Sequence, residues 1–256
     1  MKKILWVISV IMMAFTACKN APERTSPDMA MYELRGNVKE CIVTSRDSAI
    51  ELYSDTLRFS PTGRLVNETS FSYNYNAVTD LLTSVTLGDD IVIPITITAN
   101  DTGMVATGEA MLMSDDHTLK YVYKQVRDNK GYITSVESQQ YVKIGDDEFY
   151  PGDITTRVTY DWQNQRPLYQ TIDGEQFDTV YRYEYDENGY LSTELAGGYD
   201  SSFWVATTTY RYVEFDSKGN WTERIATCES QTRNPETDAE SLSQTTTIQH
   251  RTITYY

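Results

Sequence analysis

The sequence predicts an all-β protein: an antiparallel meander of hairpins, twisted and curling or closing on itself. Three observations predict it. Apolar and polar residues alternate through most of the 256 residues, the two-residue period of a strand. One turn phrase recurs along the chain, most plainly in "YRYEYDENGYL" (181–191) and "YRYVEFDSKGNW" (210–221). No stretch after residue 17 shows a helical apolar period.

The chain opens with "MKKILWVISVIMMAFTACKN". Lys2 and Lys3 precede an apolar run from Ile4 to Phe15, and Thr16-Ala17 leads into Cys18. That is the form of a secretory signal over residues 1–17. The run is shorter than the ~20 residues that span a bilayer. "FTAC" resembles a bacterial lipobox. The resemblance implies that Cys18 is the lipidated first residue of the mature chain. It places the protein in the cell envelope as an outer-membrane lipoprotein, on either the periplasmic or the surface face. Residues 18–31, polar and containing Pro22 and Pro27, read as the lipidated Cys and a flexible tether. Residues 32–256 form the β-repeat domain.

Within that domain the phrase runs aromatic or apolar, polar turn residue, Gly, one residue, apolar. It sets turn glycines at Gly63, Gly103, Gly131, Gly189 and Gly219, with a glycine-free version near Gln165. An Asp, Asn or Ser opens a type I turn because its side chain accepts bonds from the backbone two residues on. Gly then takes the left-handed conformation and closes a three-residue hairpin. In the flanks, Tyr181, Tyr183 and Tyr185 share one face, and Val180, Arg182 and Glu184 the other. Val213, the extra residue in "YRYVEFD", reads as a bulge. "LLTSVTL" (81–87) turns into "IVIPITIT" (91–98), with Ile91, Ile93, Ile95 and Ile97 on one face and Pro94 at an edge or bulge. Residues 229–244 read as a long polar loop before a closing strand over 245–256.

"YEYDENGYL" and "EFDSKGNWTER" resemble YD repeats, the units of bacterial Rhs-type proteins. The whole arrangement, with "LRGNVKECIVTS" early and a "GNW" hairpin late, is similar to lipoproteins of the Bacteroidota. The resemblance implies an extended β-repeat scaffold and no catalytic residues, because YD motifs mark turns. "DSA", "DTL" and "DTV" resemble the O-glycosylation tripeptide of the same phylum, which implies Ser48, Thr56 and Thr179 as acceptors.

The net charge of −15 opposes phosphate backbones and anionic headgroups, so nucleic acid is not an expected partner. The chain holds two histidines and none of the HExxH, GxSxG, Walker or dinucleotide patterns. "SDDH" (114–117), "GDD" (88–90) and "GDDEF" (145–149) lack the spacing of metal ligands and read as solvated turns; no metal or cofactor is expected. Cys41 and Cys228 form either a disulfide or two buried thiols. The 20 tyrosines have two readings. One is cross-strand packing. The other is an exposed platform of Tyr181, Tyr183, Tyr185 and Trp221, with Trp162 and Trp204 as further candidates, for a glycan or an envelope protein. The expectation is a non-enzymatic binding or scaffold module, held to the membrane through its lipid. The alternatives are an envelope glycan hydrolase using paired carboxylates and a subunit of a larger envelope complex.

Overall fold

The computed structural model describes residues 26–256, without 48–49, 69–70, 89, 114–116, 146–147, 175–177, 200–201 and 235–236. The signal, Cys18 and Ser48 therefore lie outside the described residues. Among the described residues one short helix, α1 (Pro27–Met31), precedes the strands. The first eight are β1 (Val38–Asp47), β2 (Ile50–Phe59), β3 (Leu65–Glu68), β4 (Phe71–Tyr75), β5 (Leu82–Leu87), β6 (Ile91–Asn100), β7 (Gly103–Met113) and β8 (His117–Asp128). The rest are β9 (Ile133–Ile144), β10 (Tyr150–Gln163), β11 (Arg166–Gly174), β12 (Asp178–Tyr185), β13 (Leu191–Tyr199), β14 (Phe203–Phe215), β15 (Trp221–Arg233) and β16 (Glu240–Tyr255).

Each strand pairs antiparallel with its sequence neighbours, and β16 returns to β1, from Val38 opposite Tyr255 to Arg46 opposite Ile248. The meander closes into a barrel, and closure removes the sheet edges. This overturns the resemblance to YD repeats. The hairpins are not units stacked along a scaffold; they are consecutive segments of one closed wall.

The local turn chemistry is as the spelling predicts. At 186–190, Gly189 N donates to Asp186 O and Asp186 N to Tyr190 O, while Asp186 Oδ1 accepts from Asn188 N and Tyr190 N. The same bonds recur around Asp128 and Asp216. Gly63, Gly131, Gly189 and Gly219 all sit at φ between 79° and 88°. Gly103 differs. The loop before it is only Asp101-Thr102, and Gly103 begins β7 where a Cβ would lie 1.9 Å from Arg127 O. It serves close strand approach, not the turn. The glycine-free version is a two-residue turn with Asn164 and Gln165 both left-handed. Val213 is the bulge residue, skipped between Tyr212 and Glu214 in the β14–β15 register.

Three other expectations are corrected. The loop expected over 229–244 shrinks to 234–239, because β15 and β16 pair through Arg233 opposite Glu240. Pro94 lies on no edge; its missing donor falls where the β6–β7 ladder stops, beyond Ile95 opposite Gly108. The tether ends earlier than Met31. Ser26 caps α1 by accepting from Met29 N, and Asp28, Met29 and Ala30 are buried.

Alternation sorts the wall into two surfaces. On β8, Tyr121, Tyr123, Gln125 and Arg127 are buried inward, while Lys120 and Lys124 face out. The outer face carries ion pairs across strands: Arg58–Glu40 at 2.8 Å, Lys120–Glu109 at 3.0 Å, Arg157–Glu137 at 3.3 Å. The inner face holds two apolar clusters. One packs Met29, Leu34, Val38, Cys41, Leu57 and Phe59; the other packs Leu82, Val85, Ile93 and Tyr123. Among the described residues, no helix is long and apolar enough to cross a membrane.

Candidate functional site

Alternate hairpins of a meander share a barrel end, so the turns at 60–63, 128–131, 186–189 and 216–219 lie together. Residues 26–37 run across that end and bind to these turns. Ser26 Oγ donates to Gly63 O, and Arg35 Nη1 donates to Gly219 O and to the Tyr190 hydroxyl. Asn220, 0 % exposed, brackets Arg35: its Oδ1 accepts from Arg35 N at 2.7 Å and its Nδ2 donates to Arg35 O at 2.9 Å. The segment is a floor, and its polar side chains reach up into the lumen.

From the floor, Asp28 pairs with Arg127 of β8 at 2.5 Å, with both side chains nearly enclosed. Arg127 also donates to Gln125 and to Gly131 O, and Asp28 Oδ2 accepts from Leu65 N. The buried pair is thus fully hydrogen-bonded, the condition under which such a pair is tolerated. On the opposite side, Glu33 meets Arg224 at 3.3 Å and accepts from Leu191 N and Trp221 Nε1. Trp221 lies between two guanidinium groups, Arg251 at 3.7 Å and Arg224 at 4.2 Å from the ring. Burial lowers Arg251 to about 10, against the opposing pull of Cys41 and Glu33. Its Nη2 donates to Tyr32 O.

Above the Asp28–Arg127 pair is a cavity of about 400 Å³. Its walls are mostly apolar and aromatic: Phe71, Tyr73, Tyr75, Leu87, Val136 and Tyr160 among them. Two carboxylates line it: Asp28, paired with Arg127, and Glu68, the last residue of β3. Glu68 Oε1 accepts from the Tyr73 hydroxyl at 2.7 Å, and Oε2 accepts from the Tyr32 hydroxyl. Burial, and then the Glu68 charge, push the Tyr32, Tyr73 and Tyr160 hydroxyls up, out of the range in which they ionise. Tyr123 is pushed up too, by burial first and by Tyr75 and Glu68 after it. The neighbouring wall is low. β3, β4 and β5 have four, five and six residues between the ten-residue β2 and β6. At ~3.4 Å per residue, the wall over β3 stands about 20 Å below its neighbour. Glu68 and Phe71, the upper pair of the β3–β4 ladder, border that notch.

The residues expected to form a platform do not. Tyr181, Tyr183 and Tyr185 share a face as predicted, but it is the inner one. Tyr181 and Tyr183 stack at 6.3 Å, Tyr183 donates to Gln170 Oε1, and Tyr185 donates to Pro167 O. Trp221 is 0 % exposed. The charged companions Arg182 and Glu184 hold the outer face, which is why the tyrosines turn in. Trp162 donates to Ile133 O and packs on Tyr132. Trp204 is half-buried on the inner face of β14.

Cys41 and Cys228 are free thiols. Cys41 pairs with Ile253 and Cys228 with Thr245, on opposite sides of β16. Eight residues of β16 separate those levels, about 27 Å, whereas a disulfide needs Cα atoms within about 7 Å. Thr179 is buried inward at 6 % exposure and is closed to a glycosyltransferase in the folded protein; Thr56 lies on the outer face of β2. No group of three or more metal-ligating side chains converges among the described residues. Asp28, Glu68 and Arg127 were not singled out by the sequence. One signal was present: Arg127 continues the phase of Tyr121, Tyr123 and Gln125 in "YVYKQVR", a charge on the aromatic face.

No family model matches the chain, and no curated protein matches it. Among solved structures, it is similar to a porin-like protein from Bacteroides uniformis, with 16 % identity and a TM-score of 0.39, over 85 % of this chain and 96 % of that one. It is also similar to a porin-like protein from Bacteroides vulgatus, with 10 % identity and a TM-score of 0.26, over 86 % of this chain and 99 % of that one.

Proposed function

We propose that this protein is a non-catalytic envelope module that holds a small, mostly apolar molecule inside its barrel. The observation that carries this reading is the cavity of about 400 Å³ above the Asp28–Arg127 pair, within the size range of ligand pockets. A barrel of sixteen strands is wide enough for an open channel; here the floor segment and inward aromatics divide the space into packed clusters and this cavity.

The anchor in this reading is the lipid on Cys18, at the outer membrane. The wall itself reads as water-facing. Its outer face carries Glu40, Arg58, Glu109, Lys120, Glu137 and Arg157 in cross-strand pairs. A basic side chain on the lipid face of a barrel costs roughly 2–4 kcal/mol near the midplane. Transmembrane barrels present a continuous apolar band to lipid; this wall interrupts its exposed apolar residues with those charged pairs.

Native mass spectrometry of the protein purified from its own host tests the proposal. The expected result is a bound species of a few hundred daltons, absent from a Val136→Trp variant that fills the cavity. Identical masses for folded wild-type and variant protein would sink it.

A second reading, a subunit of a larger envelope assembly, is favoured by one outer patch. Phe203, Val205 and Leu242 are 57 %, 58 % and 80 % exposed, with Val205 and Leu242 flanking Gln231 on adjacent strands. Cross-linking in whole cells through a photoreactive residue at Leu242, with no adduct formed, removes that reading.

A further inference from the structure

Resting on the cavity reading above, we propose that the occupant is an organic cation: an ammonium group on a short apolar stem, with the charge against Glu68 and among Tyr32, Tyr73 and Tyr160. The first ground is the charge balance of the cavity, whose charged lining residues are Asp28, Glu68 and Arg127. Among the described residues every partner of Glu68 is a phenol, Tyr32 and Tyr73. Two hydroxyl donors satisfy part of its lone-pair capacity but leave its full negative charge inside an apolar, aromatic cavity. The other carboxylate beside the cavity, Asp28, is neutralised by Arg127.

The second ground is the lining. Tyrosine and phenylalanine faces attract cations through their quadrupole, and more strongly where water is excluded. Tyr32, Phe71, Tyr73 and Tyr160 all line the space that Glu68 faces. Their hydroxyls are held protonated, so the rings add no negative charge of their own that would compete for protons.

The third ground is internal. On the far side of the lumen the chain has built the completed version of the same arrangement. There Glu33 is the carboxylate, Trp221 and Tyr210 are the rings, and Arg224 is the cation, 4.2 Å from Trp221, 4.1 Å from Tyr210 and 3.3 Å from Glu33. That side is filled. On the cavity side the carboxylate and the rings are present, and the lining cation, Arg127, is taken by Asp28 and not by Glu68. The net charge of −15 also draws cations toward the barrel and repels anions.

The test is isothermal titration calorimetry on the full chain carrying Cys18→Ser, so that no lipid competes. Three probes of nearly one shape are used: hexylammonium, hexanol and hexanoate. Hexylammonium is expected to bind at least tenfold tighter than hexanol, and hexanoate more weakly than either. Glu68→Gln brings hexylammonium down to the affinity of hexanol and leaves hexanol unchanged. Tyr160→Leu weakens hexylammonium by threefold or more, whereas Tyr160→Phe, which keeps the ring, does not; this pair stands in if the Glu68 variant does not fold. Equal binding of hexylammonium and hexanol, or a hexylammonium affinity indifferent to Glu68→Gln or to Tyr160→Leu, overturns the cation and leaves the cavity reading standing. Binding of none of the three to the folded protein overturns both.

Discussion

The two sides of the lumen are built from the same parts and end differently. Around Trp221, a floor carboxylate meets one arginine, a second arginine lies over the ring, and the space closes. Around Tyr73, a wall carboxylate meets two phenols and the space stays open. The difference teaches what a buried acid needs. Given a guanidinium, it becomes part of the core; given only hydroxyls, it keeps a charge to offer. One side is structure, and the other is the proposed site.

The comparison can be broken hardest at the floor. Asp28→Ala strands Arg127 as a buried cation beside Gln125, and is expected to destabilise by about 3–5 kcal/mol in urea unfolding. A loss under 1 kcal/mol would mean that the pair is not buried as described. Glu33→Ala removes the partner of Arg224 and of Leu191 N, for a loss of about 2–3 kcal/mol. Glu68→Gln, the matching change on the open side, is expected to cost less than about 1 kcal/mol, since an amide oxygen still accepts from a phenol. Equal losses at Glu33 and Glu68 would erase the contrast between a structural acid and a binding one.

A smaller effect carries a pH signature. Glu194 faces inward between Tyr183 and Thr208, and burial raises it against the pull of Arg224. A carboxyl raised in the folded state binds its proton more tightly there than in the unfolded chain. It therefore favours folding below the ordinary carboxylate range, and that stability is lost as pH climbs through the raised value. Glu194→Gln is expected to lift the melting temperature by a few degrees at pH 7 and by nothing at pH 3.5. A gain that is the same at both pH values would assign the effect to packing. The smallest expectation is no change at all: a reductant leaves the unfolding midpoint in place, because Cys41 and Cys228 lie at distant levels of the wall.

Local features of the fold were legible because their causes are local. Asp186, Asp216 and Asp128 each bond the backbone within four residues, so "DENG", "DSKG" and "DNKG" spell their own turns. The alternation of Tyr181, Tyr183 and Tyr185 was equally plain. Which face they would occupy was not, since that depends on the strand finding itself in a wall with a filled interior. Closure was out of reach for the same reason: Val38 meets Tyr255 only after every strand between them has paired. The site was hidden by distance too. Asp28 and Arg127 are 99 residues apart, and Tyr32 and Glu68 are 36 apart. Asp28 sat in a stretch whose prolines and polar residues read as tether, and only the barrel end makes it a floor.

That floor sets an order of events. Residues 26–37 are synthesised ahead of all the strands, yet some of their partners come late. Arg35 waits for Asn220, 185 residues on, and the carbonyl of Tyr32 waits for Arg251, 219 residues on. Contacts of such separation are slow to form, because the loop entropy is lost before the contact is gained. The seating of this early segment is thus complete only when the last strands have paired. Until it is, the apolar lumen stands open to water, and whatever shields the nascent chain must hold on until the final strand has paired.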